Sequence, residues 1–159
     1  MMARLWHSTG GSIAVEYTIT YPMLFMVFMT TVQLGMMEVG SLGTSHAAVC
    51  AARSASVVLA DDPADYDGAP VGSVSGRRLE DITEAARVPL TVVTTKPKVT
   101  VSFPDRTAFK QGDQVKVRVD FDFPCHIPVG SFLVCGSKST FRLRREATMP
   151  YQGAGYTYP

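Results

Sequence analysis

Residues 11–37 read GSIAVEYTITYPMLFMVFMTTVQLGMM, and they set the architecture of the chain. Glu16 is the only charged residue among them, and the remainder is rich in Met, Phe, Leu, Ile and Val. A helix needs roughly 20 predominantly apolar residues to cross the hydrocarbon core of a bilayer. We therefore predict a transmembrane helix over about residues 17–37. Glu16 lies at its leading edge, where a carboxylate is costly if it enters hydrocarbon without a partner.

The charges on either side of the apolar run indicate its orientation. Arg4 and the amino terminus precede it, and Arg53 is the first Lys or Arg after it. The positive-inside rule then keeps the amino terminus in the cytoplasm and exports the remainder. A cleaved secretory signal is disfavoured, because its apolar core spans only about 7–15 residues. A lipoprotein site at Cys50 is disfavoured by Val49, since a small residue is expected before such a cysteine. An uncleaved membrane anchor with a single span remains an alternative.

A short polar leader precedes Gly11, four residues follow, and Glu16-Tyr17 then open the apolar helix. This order resembles the processing site of the Flp (tight-adherence, type IVc) pilins and their pseudopilins. Residues 11–40, followed by HAAVCAARSASVVLA at 46–60, look like the TadE-like pseudopilins, and so does REATMPYQ at 145–152. The resemblance covers the first 60 residues well and the rest loosely.

The resemblance implies a processing step and a role for the glutamate. A prepilin peptidase, which is a separate protein, would cut after Gly11 and make Ser12 the new amino terminus. In a filament of packed helices, an ammonium group on Ser12 of a neighbouring subunit would neutralise Glu16 and thereby set the axial register. Tyr17 suits an interfacial aromatic position. In an uncleaved anchor, Glu16 would instead be a carboxylate solvated by headgroups.

Pro22 lies inside the predicted helix, where it removes one backbone hydrogen bond and favours a kink. The Thr18 hydroxyl is a candidate to satisfy the freed carbonyl region. The helix is expected to continue out of the membrane to about residue 60, because residues 38–60 are rich in Ala and free of Pro. Residues 61–75 are dense in turn formers and predict a loop.

A short helix and several strands are predicted after the loop. In residues 75–88 the apolar side chains recur at helical spacing, which predicts a helix with its charges on the outer face. Alternation of apolar and polar residues from 99, from 115 and from 141 predicts three or four strands in an antiparallel meander. The outer half of the long helix would cover the apolar face of this sheet.

The predicted fold is therefore α+β and pilin-like, with a long transmembrane helix that continues into a small exported domain. Its parts are a leader over residues 1–11, the helix over 12–60, the domain over 61–150 and a flexible tail over 151–159, whose tyrosines could dock on the assembly.

Cys125 and Cys135 lie close together in the exported part, which predicts a disulfide in an oxidising compartment. A metal site that adds His126 is the weaker alternative, because it lacks a fourth ligand. The connection between the two cysteines is strongly apolar and either contacts the bilayer or a partner subunit or lies under the sheet. Cys50 is expected to be a buried thiol, with an intersubunit disulfide as the alternative.

The composition and the sequence motifs limit the classes of function that are expected for this chain. A net charge of +1 without a basic stripe gives no reason to expect nucleic acid. No phosphate-binding loop, nucleophile elbow or HExxH motif occurs, and the acidic residues near 61–67 lack the spacing of a calcium loop. We expect no enzymatic activity, metal, cofactor or small-molecule substrate.

The chain is predicted to be a TadE-like minor pseudopilin of the bacterial inner membrane. It would take part in assembly, priming or tip formation of an adhesive pilus or a related secretion machine. Its partners would be the prepilin peptidase and other pilin and pseudopilin subunits. The alternative is a membrane-anchored structural protein that supports an envelope complex.

Overall fold

The structure, a computed structural model, describes residues 9–136 and 138–153, with side chains from residue 13 onward. The long helix, the short helix and the antiparallel sheet predicted from the sequence are all confirmed. The elements in chain order are α1 (Thr9–Val58), α2 (Gly76–Arg87), β1 (Val99–Ser102), β2 (Gln114–Pro124), α3 (Gly130–Cys135) and β3 (Thr140–Pro150). Short 3₁₀ turns lie at Pro63–Tyr66 and Val88–Val92.

The described chain forms two compact units, and each is treated separately below. The helix–loop unit contains the chain up to Met36 together with Cys125–Ser139. The sheet unit contains Met37–Pro124 and the chain from Thr140 onward.

The sheet has the order β1-β2-β3, and both strand pairs are antiparallel. Strand β2 is the central strand, and its apolar side chains alternate into the core as the sequence pattern predicts. Leu143 is buried opposite Phe121 in the register of β2 and β3, whereas Phe141 stays exposed. The buried side chains of β2 are Val115, Val117, Val119, Phe121 and Phe123.

The outer face of the β2–β3 pair is charged, and its ion pairs reinforce the strand register. Opposite charges stand directly across from each other, an arrangement that stabilises antiparallel pairs. Hydrogen bonding from Lys116 and Arg118 holds the pKa of Glu146 below its usual range. The paired residues across the strands are Arg118 with Glu146, Asp120 with Arg144, and Asp122 with Arg142.

The second half of α1 packs within the sheet unit through small residues. A Cβ added at Gly40 would lie 2.6 Å from the Phe123 ring, so only glycine permits this approach of the helix. Gly43 similarly faces Leu90. Five alanines on this part of the helix are buried as well: Ala47, Ala48, Ala51, Ala52 and Ala55. As predicted, the helix covers the apolar face of the sheet.

Arg78 is a correction to the prediction that the charges of α2 face outward, because its side chain is fully buried. It precedes Ile82 and Ala86 by four and eight residues, and therefore lies on the same buried face of the helix. Its guanidinium donates hydrogen bonds to three backbone carbonyls, at 2.9–3.1 Å, and lies over the Tyr66 ring. The acceptors are the carbonyl oxygens of Leu59, Asp61 and Pro70.

This guanidinium binds the carbonyls that directly follow the carboxyl end of α1. The last carbonyls of a helix have no partner within the helix, and the helix dipole favours a cation there. Tyr151 also binds near the carboxyl end of α1. Its side chain is buried, and its hydroxyl donates to the Leu59 carbonyl oxygen at 3.1 Å. Burial raises the pKa of Tyr151. Tyr151 is therefore fixed within its own chain, which corrects the prediction of a flexible tail at this residue. Residues 154–159 lie outside the described chain.

We predict that Arg78→Lys destabilises the sheet unit by about 2–3 kcal/mol, because a single ammonium group cannot serve three carbonyls spread around a planar guanidinium. The measurement is urea unfolding of the full chain in detergent, followed by circular dichroism. Arg77→Lys is the matched control, since Arg77 is the exposed neighbour on the same helix. Equal midpoints for the two variants would contradict this role of Arg78.

Candidate functional site

The first half of α1 exposes its apolar side chains. Every described side chain from Ile13 to Phe28 is exposed. The helix is long and apolar enough to cross a membrane, with a mean hydropathy of 1.4, and only 11% of an 18-residue apolar window is buried. A core helix of a water-soluble domain would bury such a surface. These side chains require an apolar environment, either lipid or other protein.

The threonine hydroxyls on this segment are satisfied within the helix. Thr18 donates to the Ala14 carbonyl oxygen at 2.7 Å, and Thr30 donates to the Met26 carbonyl oxygen at 2.7 Å. Thr31 makes the same kind of bond to Val27. Such bonds to the preceding turn satisfy the threonine hydroxyl donors, which suits a helix in lipid.

The helix continues through Pro22, which is its only internal proline among the residues described. Pro22 deprives the carbonyl of Thr18 of its usual helical partner. The Thr18 hydroxyl bonds to Ala14 instead, one turn toward the amino terminus. The predicted use of Thr18 to satisfy the freed carbonyl is therefore wrong.

The predicted processing and pairing residues lie together at the beginning of α1. Gly11 and Ser12 have helical backbone, shortly after the helix begins at Thr9. Glu16 and Tyr17 are exposed and border a shallow groove shared with Thr20, Tyr21 and Leu24. The Glu16 carboxylate is therefore exposed relative to the described part of the chain, at the start of the apolar surface.

The Cys125–Cys135 disulfide is present, as predicted, and closes the connection that contains α3. We call residues 125–136 the disulfide loop. Both thiols are used in the bridge, so the alternative metal site with His126 is ruled out. Within the described parts of the chain, no group of three or more His, Cys, Asp or Glu side chains could hold a metal ion. Cys50 is a free, half-buried thiol.

The disulfide loop packs against α1 at Met29 and Gln33. A Cβ added at Gly130 would lie 2.5 Å from the Met29 carbonyl oxygen and 3.1 Å from the Gln33 Cβ. Backbone therefore meets backbone here, and only glycine allows it. Val129, just before, has a φ of 67°, an uncommon conformation for a β-branched residue. Such a conformation persists only where the surrounding structure enforces it.

Gln33 lies beneath this contact and was not singled out from the sequence. Its side chain is 1% exposed on a helix whose neighbouring positions are open. Neither of its amide atoms has a hydrogen-bond partner among the described residues. The sequence feature that could have identified Gln33 is its composition context, because it is the only carboxamide side chain in residues 11–37. The loop therefore separates a polar group from whatever surrounds the helix.

Comparison of the chain with protein-family models, with curated proteins and with solved structures finds no match in any of the three.

We predict that Gly130→Ala displaces the disulfide loop from α1, because the added methyl group would meet backbone that cannot rotate away. Amide hydrogen exchange over residues 127–136 should become faster in detergent-solubilised protein, measured by mass spectrometry. Gly35→Ala is the control, because Gly35 lies on α1, the helix that the loop contacts, and nothing lies within 4 Å of a Cβ at that position. Unchanged exchange in Gly130→Ala would show that the contact is not maintained in solution.

Proposed function

We propose that this chain is a TadE-like minor pseudopilin, a structural subunit that is trimmed by a prepilin peptidase and inserted into a type IVc filament or related machine. The observation that carries the proposal is the beginning of α1. A carboxylate at Glu16 stands open on the helix, five residues after Gly11, and an uncovered apolar surface follows it. A lone membrane anchor has no need for a carboxylate at the start of its apolar surface, whereas subunits that pack side by side can use it.

The charge at Glu16 supplies the assembly mechanism. Cleavage after Gly11 would create an ammonium group at Ser12. Ser12 and Glu16 are four residues apart, so they occupy the same face of the helix about 6 Å apart along its axis. The new charge therefore lowers the cost of holding Glu16 in the membrane. In a filament, the ammonium group of one subunit pairs with the carboxylate of the next, and only the matching axial offset avoids an unpaired buried charge.

Two features support export of the sheet unit. The Cys125–Cys135 disulfide is typical of an oxidising compartment. The distribution of cations, with Arg4 before the apolar run and Arg53 after it, favours a cytoplasmic amino terminus. The protein would thus reside in the bacterial inner membrane until a filament takes it up.

The proposed role is structural, with prepilin peptidase and other pilin or pseudopilin subunits as partners and without catalysis, cofactor or nucleic acid. Within this proposal the chain is a minor subunit that primes assembly or forms the tip of an adhesive pilus.

The second candidate is an uncleaved anchor that remains in the membrane and supports an envelope complex. The exposed apolar helix suits it equally well, because lipid alone can solvate that surface. The two candidates differ in whether residues 1–11 are removed.

We expect the mature protein to begin at Ser12 when it is produced in a host with its prepilin peptidase. Intact mass of the purified protein measures this directly. Gly11→Leu should block the trimming, because a bulky side chain obstructs a peptidase at this backbone. Gly35→Leu, on the same helix and with open space around it, should be trimmed normally. A full-length species in the unaltered protein would exclude the pseudopilin route and favour the anchor.

We further predict that Glu16→Gln is trimmed normally but enters filaments poorly. Loss of the carboxylate leaves the partner ammonium buried alone, which costs about 3–5 kcal/mol, or at least roughly a hundredfold in incorporation. The measurement is the amount of tagged subunit in sheared filaments relative to membranes. Glu38→Gln, which removes an exposed carboxylate further along α1, is the control. Equal incorporation of both variants would contradict the register mechanism.

A further inference from the structure

The disulfide loop carries an apolar surface that no described part of the chain covers. Phe132 is 72% exposed and Leu133 is 54% exposed, and both lie on α3. No charged residue occurs from Ile127 to Cys135, while His126 and Lys138 are exposed on either side. This pattern of an apolar centre between polar flanks is typical of a segment at a membrane surface.

The position of α3 on the helix indicates what surrounds these side chains. Leu133 lines a groove of about 460 Å³ whose other residues all belong to the apolar part of α1. Whatever solvates that part of α1 therefore also solvates Leu133. The lining residues from the helix are Met23, Met26, Val27, Thr30 and Thr31.

We propose that the disulfide loop is a membrane-contact site, in which Phe132 and Leu133 enter the outer leaflet beside α1 and contact lipid acyl chains. The inference rests on the proposed membrane span. It is independent of processing and of assembly, so it applies equally to a pseudopilin before filament entry and to an uncleaved anchor.

The backbone of the loop restricts α3 to the boundary of the hydrocarbon. Its amides are partly satisfied by local bonds, such as those from Ser131 to Ile127 and from Leu133 to Val129. A helix this short still leaves several carbonyls unpaired, and hydrocarbon cannot solvate them. The loop therefore lies where water and headgroups reach its backbone while its apolar side chains point into the leaflet.

This placement defines the depth of α1. The loop contacts the helix at Met29 and Gln33, so the outer edge of the hydrocarbon lies near that level. A hydrocarbon core of about 30 Å corresponds to about 20 helical residues, which extends from Gln33 back to Ile13. The span is thus displaced by about four residues from the 17–37 of the sequence pattern. Gln33 then lies at the boundary, covered by the loop.

Single tryptophans in lipid nanodiscs test the proposal. Trp6 is the only tryptophan, so Trp6→Phe provides the background in the full chain. Phe132→Trp is the test position, and Val27→Trp reports on the span itself. Val92→Trp is the control in the sheet unit, because Val92 is 85% exposed. Each disc holds one copy, in phosphatidylcholine brominated either near the headgroup or near the chain end.

We expect Phe132→Trp to be quenched at least roughly twofold more by shallow than by deep bromines, as for a side chain inserted 5–10 Å below the headgroups. It should also be protected from aqueous acrylamide relative to Val92→Trp. Leu133→Trp should give the same result, and it serves as the second variant if Phe132→Trp does not fold.

Three outcomes would overturn the proposal, and they are distinguishable. If Val27→Trp is quenched by lipid while Phe132→Trp behaves like Val92→Trp, the loop is in water although the span is correct. If Phe132→Trp is open to acrylamide in the single-copy discs and protected only in a second set of discs loaded with several copies, a second copy covers the loop. If Val27→Trp itself is open to acrylamide, α1 does not span the membrane, and the proposed function fails together with the inference.

Discussion

The apolar side chains of α1 between Ile13 and Phe28 are exposed, and their removal from water is the constraint that the remaining structure must meet. No described element covers them, so the solvent or the partner must come from outside the chain. The intrahelical hydroxyl bonds of Thr18, Thr30 and Thr31 are consistent with this, because they satisfy the threonine donors within the helix. Lipid before assembly and neighbouring helices after it would both satisfy the constraint.

The two halves of α1 pack differently, and they differ in the size of their side chains. The first half presents Met, Phe, Leu and Val, whose bulk creates a surface suited to acyl chains. The second half presents Gly40, Gly43 and a series of alanines, which allow the chain of the sheet unit to approach the helix backbone closely. The change of residue size along α1 therefore marks the change from external to internal packing.

Three polar side chains lie on or against this helix, and each has a different environment. Arg78 is buried, and its terminal guanidinium nitrogens donate to the carbonyls of Leu59 and Asp61 just beyond α1, while its Nε has no partner among the described residues. Gln33 is covered by the disulfide loop, although its amide has no described partner. Glu16 is left open, which is the reason it becomes the candidate for a contact with another molecule. An exposed carboxylate at the start of an apolar surface is available for a functional contact.

Local patterns in the sequence were sufficient to predict the α+β fold, the short helix, the three antiparallel strands and the disulfide. Hydrophobic period and the proximity of Cys125 to Cys135 carry that information within a few residues of each element. The burial of Arg78, the docking of Tyr151, the cover over Gln33 and the contact at Gly130 were decided by tertiary structure. Each depends on residues far apart in the chain, such as Leu59 with Tyr151 or Met29 with Gly130, and local periodicity contains no record of such pairings.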